Sequence, residues 1–481
     1  MNKIFICSIF LLLLISNILA NSHSILTPRQ ITTDPTFELA LTDYNIYHPT
    51  EYNGHNNCHN YQFYVKPFYQ QSTKKQKLAS YFLPNNLCSV SVEENGTGDI
   101  NPLWFGVVGP NGTYYNSTLT LNPVHRAYGA VLTFYMDIGC DWWLLANTAL
   151  MGASNSMSLC ETGSSVGSGV ACGFTKMCQA LNNPEWCYGR ISSKTISKGG
   201  LDDIQIKLGK NKYICDNNGH IAPYFVFTIP TGKRSNNQYL FQPVVGSKHL
   251  SFGLGLNGEY VYCENSNTYD LSFLWDLKYH YVVRANELRS FDLTVNGDWS
   301  RYLPVVTSDQ PLNSLPGINY FTQCVVVQPK STIDFWLAAH YARCNWDIEV
   351  GYTLWWRQKE GVSFGCRNPK LGENTGIYDM ARVNSQIITS AITATIADSL
   401  VNDSVVSDGL FVPISQSYFN LDSGTNPTAI TNKIYLSGDY KHDSLCKGLP
   451  TLLGLGVSYE FAGKCYPLSQ WAVWANIGVN F

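Results

Sequence analysis

Charged and titratable side chains recur at alternate positions of long apolar segments. Asp270, Asp276, Lys278 and His280 alternate with Tyr269, Leu271, Phe273, Trp275, Leu277, Tyr279 and Tyr281. Asp334 and His340 alternate with Ile333, Phe335, Leu337, Ala339 and Tyr341. Asp347, Glu349 and Arg357 alternate with Trp346, Ile348, Val350 and Trp356, and Glu460 stands between Tyr459 and Phe461. A period of two places the charges on one face of a strand and the apolar residues on the other. Each charge is costly against lipid or in a dry interior. On the wall of a wet lumen it is cheap and sets ion preference. The expected chemistry is therefore filtering by lumen-lining charge, with a solvated interior of internal salt bridges as the plainer alternative.

Bond-making chemistry finds little support. His280, His340 and Asp276 could serve as base and orienting group. No serine stands in a G-x-S-x-G elbow, however, and GSSVGSG at 163–169 reads as a flexible loop. TIPTGKRS at 228–235 lacks the phosphate-loop spacing and reads as an extracellular hairpin loop. No cofactor and no metal site is implied, and the chain is read as non-enzymatic.

The elements that carry these residues are long. A strand of a soluble sheet has about 5–6 residues, whereas a membrane-spanning strand needs about 9–11. Tyr269 to Val283 exceeds both. Candidate strands lie near 59–70, 127–138, 140–151, 201–210, 221–230, 248–262, 269–283, 319–329, 331–342, 345–357, 431–441, 450–462 and 470–481. That set predicts an all-β chain closing into one antiparallel transmembrane barrel of about 12–14 strands. Its odd number means that one strand is missing or one is misassigned. Long polar connections at 71–125, 152–200, 284–318 and 358–430 read as extracellular loops. Trp142 and Trp143, Trp355 and Trp356, Trp471 and Trp474, and Tyr279 and Tyr281 read as aromatic girdles at the membrane interfaces.

Composition agrees with this reading. Of 481 residues, charged side chains make up 14%, below the roughly 25% of soluble domains, and aromatic ones 13%. The net charge is -3 and no basic stripe is present, so nucleic acid is not an expected partner. Lys3, the apolar run Ile4–Ile18 and the small-residue site at Leu19-Ala20 read as a signal peptide over 1–20. Residues 21–56 read as a leader or plug and 57–481 as the barrel. Of the 15 cysteines, Cys7 falls in the signal peptide. The remaining even number favours disulfides in an exported chain, with Cys172, Cys178 and Cys187 as candidate loop cysteines. Asn95, Asn111, Asn116 and Asn402 stand in glycosylation patterns that matter only in a eukaryotic host.

The chain ends QWAVWANIGVNF, with Trp471, Val473, Ala475, Ile477, Val479 and Phe481 on one face. An amphipathic last strand with a terminal aromatic resembles bacterial outer-membrane β-barrel (porin-like) proteins. That resemblance implies an assembly signal at Phe481 and Trp471, read by the barrel-assembly machinery. TIPTGKRSNNQYLFQPVVG, LPGINYFTQ and IDFWLAAHYARCNWDIEVGYTLWWR are loosely similar to uncharacterised barrels of intracellular bacteria such as Dependentiae. The expected location is the bacterial outer membrane. The expected partners are its lipid and small solutes, with a homo-oligomer left open. The expected function is passive diffusion through a polar lumen. The alternatives are a structural or adhesive surface barrel with stapled loops, or a secreted β-rich glycoprotein.

Overall fold

The structure is a computed structural model. It describes residues 22–38 and 61–480, apart from 95, 110–113, 164–167, 170–173, 215–218, 266–268, 308–309, 366–374, 379–381, 384–385, 388–393, 399–410, 447–448 and 464. Among the described residues no helix is long and apolar enough to cross a membrane.

Twelve antiparallel strands close into a barrel. They are β1 (Tyr61–Ser72), β2 (Val124–Gly139), β3 (Trp142–Ser156), β4 (Ile196–Leu201 and Ile204–Lys210), β5 (Gly219–Ile229), β6 (Ser251–Asn265), β7 (Tyr269–Val282), β8 (Lys330–Arg343), β9 (Trp346–Arg357), β10 (Ala429–Cys446), β11 (Leu449–Ala462) and β12 (Gln470–Asn480). The two segments of β4 pair with the same neighbour, β3, on either side of a break at Asp202 and Asp203. Closure comes from β1 pairing with β12, Gln62 opposite Asn480. Strand lengths above 10 residues, expected from the alternation, are observed in all but the two halves of β4 taken singly.

The odd strand in the sequence reading is 319–329. Thr322–Gln328 does form a strand, but it lies outside the barrel, between Ala285–Ser290 and Gly361–Ser363 in a separate three-stranded sheet. Removing it restores the even count and the alternation of long and short connections. Short turns join β2 to β3, β4 to β5, β6 to β7, β8 to β9 and β10 to β11. The long connections 73–123, 157–195, 230–250, 283–329 and 358–428 all leave from the opposite end. There they build a cap of small sheets and the helix Lys75–Phe82. Its core joins Leu78, Tyr81, Phe82, Phe241, Trp299 and Tyr302.

The outward face is apolar and exposed: Phe225 is 66% accessible, Leu254 56%, Val350 57% and Leu455 71%. The inward face is polar and buried. The aromatic pairs divide between the two. Trp142, Trp356, Trp471, Tyr279 and Tyr281 point outward, whereas Trp143, Trp355 and Trp474 are buried inside. The girdle reading is thus corrected for these three, since adjacent residues of a strand necessarily face opposite sides.

Inside, five rings lie over glycines directly across the strand pairing: Tyr64 on Gly478, Trp143 on Gly209, Tyr224 on Gly255, Tyr435 on Gly351 and Trp474 on Gly456. A Cβ on Gly456 would fall 2.2 Å from Trp474 Cε2, and one on Gly255 2.0 Å from Tyr224 Cζ. Glycine lets each ring lie flat along the wall, the pairing known as aromatic rescue.

Among the described residues Cys88, Cys140, Cys160, Cys178, Cys187, Cys324, Cys344 and Cys465 are thiols. Cys178 and Cys187, expected to be bridged, are therefore unpaired here, and Cys172 lies outside the described residues. Cys140 and Asp141 take φ of 54° and 67°, the two positive values that a tight hairpin turn requires.

Two outcomes are expected. Gly456→Ala, which in an open strand would gain backbone stability, instead costs about 1–3 kcal/mol through the displaced Trp474 ring, measured as a shift of the urea midpoint. Cys140 and Cys344, exposed in turns at the same end, are expected to take a maleimide label in the folded protein from one side only of a sealed vesicle.

Candidate functional site

The inward positions of the strands meet the N-terminal segment 22–38, which lies within the barrel. The segment has little regular structure beyond a turn at Pro35–Glu38. Its backbone groups therefore need partners on the wall. Asn147 Nδ2 donates to Thr32 O (2.9 Å), Lys278 Nζ to Thr33 O (2.9 Å) and Arg357 Nη1 to Thr27 O (3.1 Å). The carboxylate of Asp202, at the break in β4, accepts from Thr32 N and Oγ1 at 3.3 and 3.2 Å. Phe37 packs between Phe68 and Trp474 at ring distances of 5.1 and 5.7 Å.

The segment's charges are answered one by one. Glu38 takes Lys207 Nζ at 2.6 Å on one oxygen and Lys278 Nζ at 2.8 Å on the other. Asp34 pairs with Lys433. Arg29 bonds Asp334 at 2.5 Å and lies 3.5 Å from Asp34 and 4.0 Å from Glu460. Every one of these side chains is almost fully buried.

The residues singled out in the sequence distribute as follows. Asp276, Lys278, Asp334 and Glu460 belong to this buried network; Asp276 accepts from Tyr224 Oη at 2.6 Å and lies 3.7 Å from Lys207. Arg357 ends β9 beneath the cap, with its guanidinium 5.3 Å from the Trp355 ring. His280 faces Ser251 at 3.5 Å. Glu349 accepts from the Tyr435 hydroxyl. His340 lies 3.8 Å from Asp347, which Lys441 approaches at 2.8 Å. Asp270, half-buried, sits with Asp347 toward the short-turn end. Trp471 packs against Tyr69 on the outer face at the cap end, 5.5 Å between rings; Phe481 lies outside the described residues.

Sequence reasoning missed Lys207, Lys433, Arg29, Asp34 and Glu38. Lys207 was within reach, because Gln205, Lys207 and Gly209 alternate with Ile204, Ile206 and Leu208. The three residues of the N-terminal segment carry no periodic signal. Among the described residues no group of three or more His, Cys, Asp or Glu side chains is placed to hold a metal ion.

The cap end carries its own titratable contacts. His23 stacks on Tyr81 at 4.6 Å. Burial, and then the charge of Arg301, lower its pKa to about 4. Glu287 bonds His249 at 2.6 Å and Arg289 at 2.8 Å. Burial opposes its ionisation, but the charge of Arg289 and the bond from His249 outweigh it and hold the carboxyl at about 2.

No family model matches the sequence, and no curated protein matches it. Among solved structures, an outer-membrane channel from Pseudomonas putida F1 is 9% identical, over 90% of this chain and 99% of that one, with a TM-score of 0.38. The NanC porin is 10% identical over 87% and 98% of the two chains, with a TM-score of 0.28. The toluene transporter TodX of Pseudomonas putida is 8% identical over 96% and 98%, with a TM-score of 0.27. At such identities nothing about this chain's cargo follows from theirs.

Glu38→Gln leaves two buried ammonium groups facing one neutral amide. Breaking a buried pair on one side typically costs about 3–5 kcal/mol. The expected result is rapid protease cleavage within residues 22–38 while the barrel keeps its heat-modifiable gel mobility. His23 supplies a pH dependence. Its folded pKa lies below the unfolded value of 6.5, so the unfolded state binds the extra proton. Its stabilisation is complete above pH 6.5 and is lost as pH falls toward 4. Thermal melts between pH 7.5 and 4.5 are expected to show a steeper loss in the wild type than in His23→Phe, which keeps the stacking without the titration. Glu287 adds its own loss only below pH 4.5.

Proposed function

We propose that the protein is an outer-membrane channel for small solutes, closed in this state by residues 22–38 held in its lumen. The observation that carries this reading is the charge-for-charge fit of Arg29, Asp34 and Glu38 to Asp334, Lys433, Lys207 and Lys278. A wall that needed only to be a scaffold could be lined by apolar side chains, which fill a barrel at lower desolvation cost. A wall lined by lysines and carboxylates suits an interior that is wet when the segment is out. The exposed apolar outer face, with Phe225, Leu254, Val350 and Leu455 on long strands, suits a bilayer. Short turns on the side where β1 begins and β12 ends suit the periplasmic face, and the capped end the exterior.

In this reading no cofactor takes part, and solutes are sorted by size and by the inward charges. The segment and the cap together set how much of the lumen is open. Asp276, Lys278, Asp334 and Glu460 line the passage at the level of Arg29, Asp34 and Glu38.

The test is planar-bilayer conductance of the refolded chain with and without residues 22–38. The full chain is expected to conduct rarely, and the shortened chain to open in steps. A shortened chain that is heat-modifiable but silent would remove the channel reading and leave a surface scaffold. In the conducting form, Asp276→Asn with Lys278→Met is expected to move the reversal potential in a salt gradient; an unchanged value removes those residues from the solute path. Leu455→Arg, at an outward position in the middle of β11, is expected to cost about 2–4 kcal/mol in lipid, read from refolding titrations into vesicles.

A further inference from the structure

Between the N-terminal segment and the wall, beneath the cap, lies a cavity of about 100 Å³. It is smaller than the roughly 150 Å³ apolar cavity that takes up one benzene, so a ligand of that size needs the lining side chains to give way. Part of its lining is apolar: Ile25, Pro28, Val244, Val282, Pro329 and Trp355. Arg234 and Ser235, both partly exposed, stand at its outer side.

Arg357 lines the same cavity and is 5% exposed. Its Nη1 is used, donating to Thr27 O. Its Nε and Nη2 are buried and have no hydrogen-bond partner among the described residues. These two nitrogens form one edge of the guanidinium, the fork that grips a carboxylate with two parallel bonds. Two other buried arginines of this protein show the edge in use. Arg289 gives Nε and Nη2 to Glu287 at 3.1 and 2.8 Å. Arg301 gives the same pair to the two oxygens of Asp292 at 2.8 and 2.5 Å. Arg357 has the same edge and no carboxylate on it. Its guanidinium carbon lies 5.3 Å from the centre of the Trp355 ring and 5.9 Å from that of Tyr466. His280 Nε2, on a side chain 2% exposed that also lines the cavity, is likewise unpartnered.

A buried guanidinium edge without an acceptor is costly to keep. We propose that this cavity is a binding site for a small organic monocarboxylate with an apolar body. The carboxylate takes the Nε and Nη2 edge of Arg357, and the body rests against Pro28, Val244, Val282 and Pro329. Both nitrogens are buried, so the ligand meets them as the side chain swings into the cavity that it already lines. Glu287 and Glu360 in the same wall weigh against a dianion. The site goes beyond the channel reading and does not require conduction.

The test is isothermal titration of sodium benzoate into the full chain refolded in detergent, with benzamide as a neutral partner of the same shape and inorganic phosphate as an anion without an apolar body. Saturable benzoate binding is expected, at least about tenfold weaker for benzamide, the loss of one charge-assisted contact, and weaker still for phosphate. Arg357→Met is expected to reduce benzoate affinity by a similar factor with the barrel still heat-modifiable. Should that variant fail to fold, Val244→Phe, which fills the cavity from the loop side, is expected to abolish binding. Absence of saturable binding, equal affinity for benzamide, or full affinity in a folded Arg357→Met would overturn the proposal. Loss of conductance with benzoate binding intact would count against the channel alone.

Discussion

Glu38 is fully buried between the ammonium groups of Lys207 and Lys278. A charge taken out of water must find its opposite within reach or be lost to protonation. That requirement shapes the whole interior. It explains why a segment with almost no secondary structure of its own is held in one place: each of its charges is answered by a strand distant in sequence, and its backbone carbonyls are taken by Asn147, Lys278 and Arg357. It also explains why the wall carries lysines where a packed barrel would carry leucines.

The wall meets a second demand, that of fitting bulky rings and a threaded segment into one lumen. The glycines opposite Tyr64, Trp143, Tyr224, Tyr435 and Trp474 answer it. By lying flat on a neighbouring glycine, each ring covers the strand backbone and leaves the axis to the charged side chains. The outer face has no such demand. There Leu, Val and Phe stand out from the strands unpartnered, as expected for surfaces that meet acyl chains.

Much of the barrel was legible because alternation reports two different environments on one strand. Tyr269 to Val283, 331–342 and 345–357 could hardly be read otherwise, and the inward parity of Asp276, Lys278 and Glu349 followed directly. Alternation does not say which two environments are meant, so Thr322–Gln328, half-buried in the cap, passed for a barrel strand. The same parity forces the tandem tryptophans 142–143 and 355–356 to split between the faces, which a reading by position along the strand overlooks. The partners of Arg29, Asp34 and Glu38 were out of reach for a different reason. Arg29 and Asp334 are separated by 305 residues, and no local pattern marks a contact that only closure of the ring creates.

The path of the chain has a consequence for assembly. Ser22 is bound in the cap by Asp298 and Arg301, Glu38 lies within the lumen, and Tyr61 opens β1 at the far end, beside the seam that β12 closes. Residues 22–38 therefore run from the cap into the lumen of the barrel that the later strands form. A ring built in this way either closes around residues 22–38 already in position or receives them along its own axis. Unthreading is subject to the same geometry, by axial sliding or by parting a seam. How fast the two arrangements interchange is thus a question of path and of order of events, separate from how tightly the ion pairs hold.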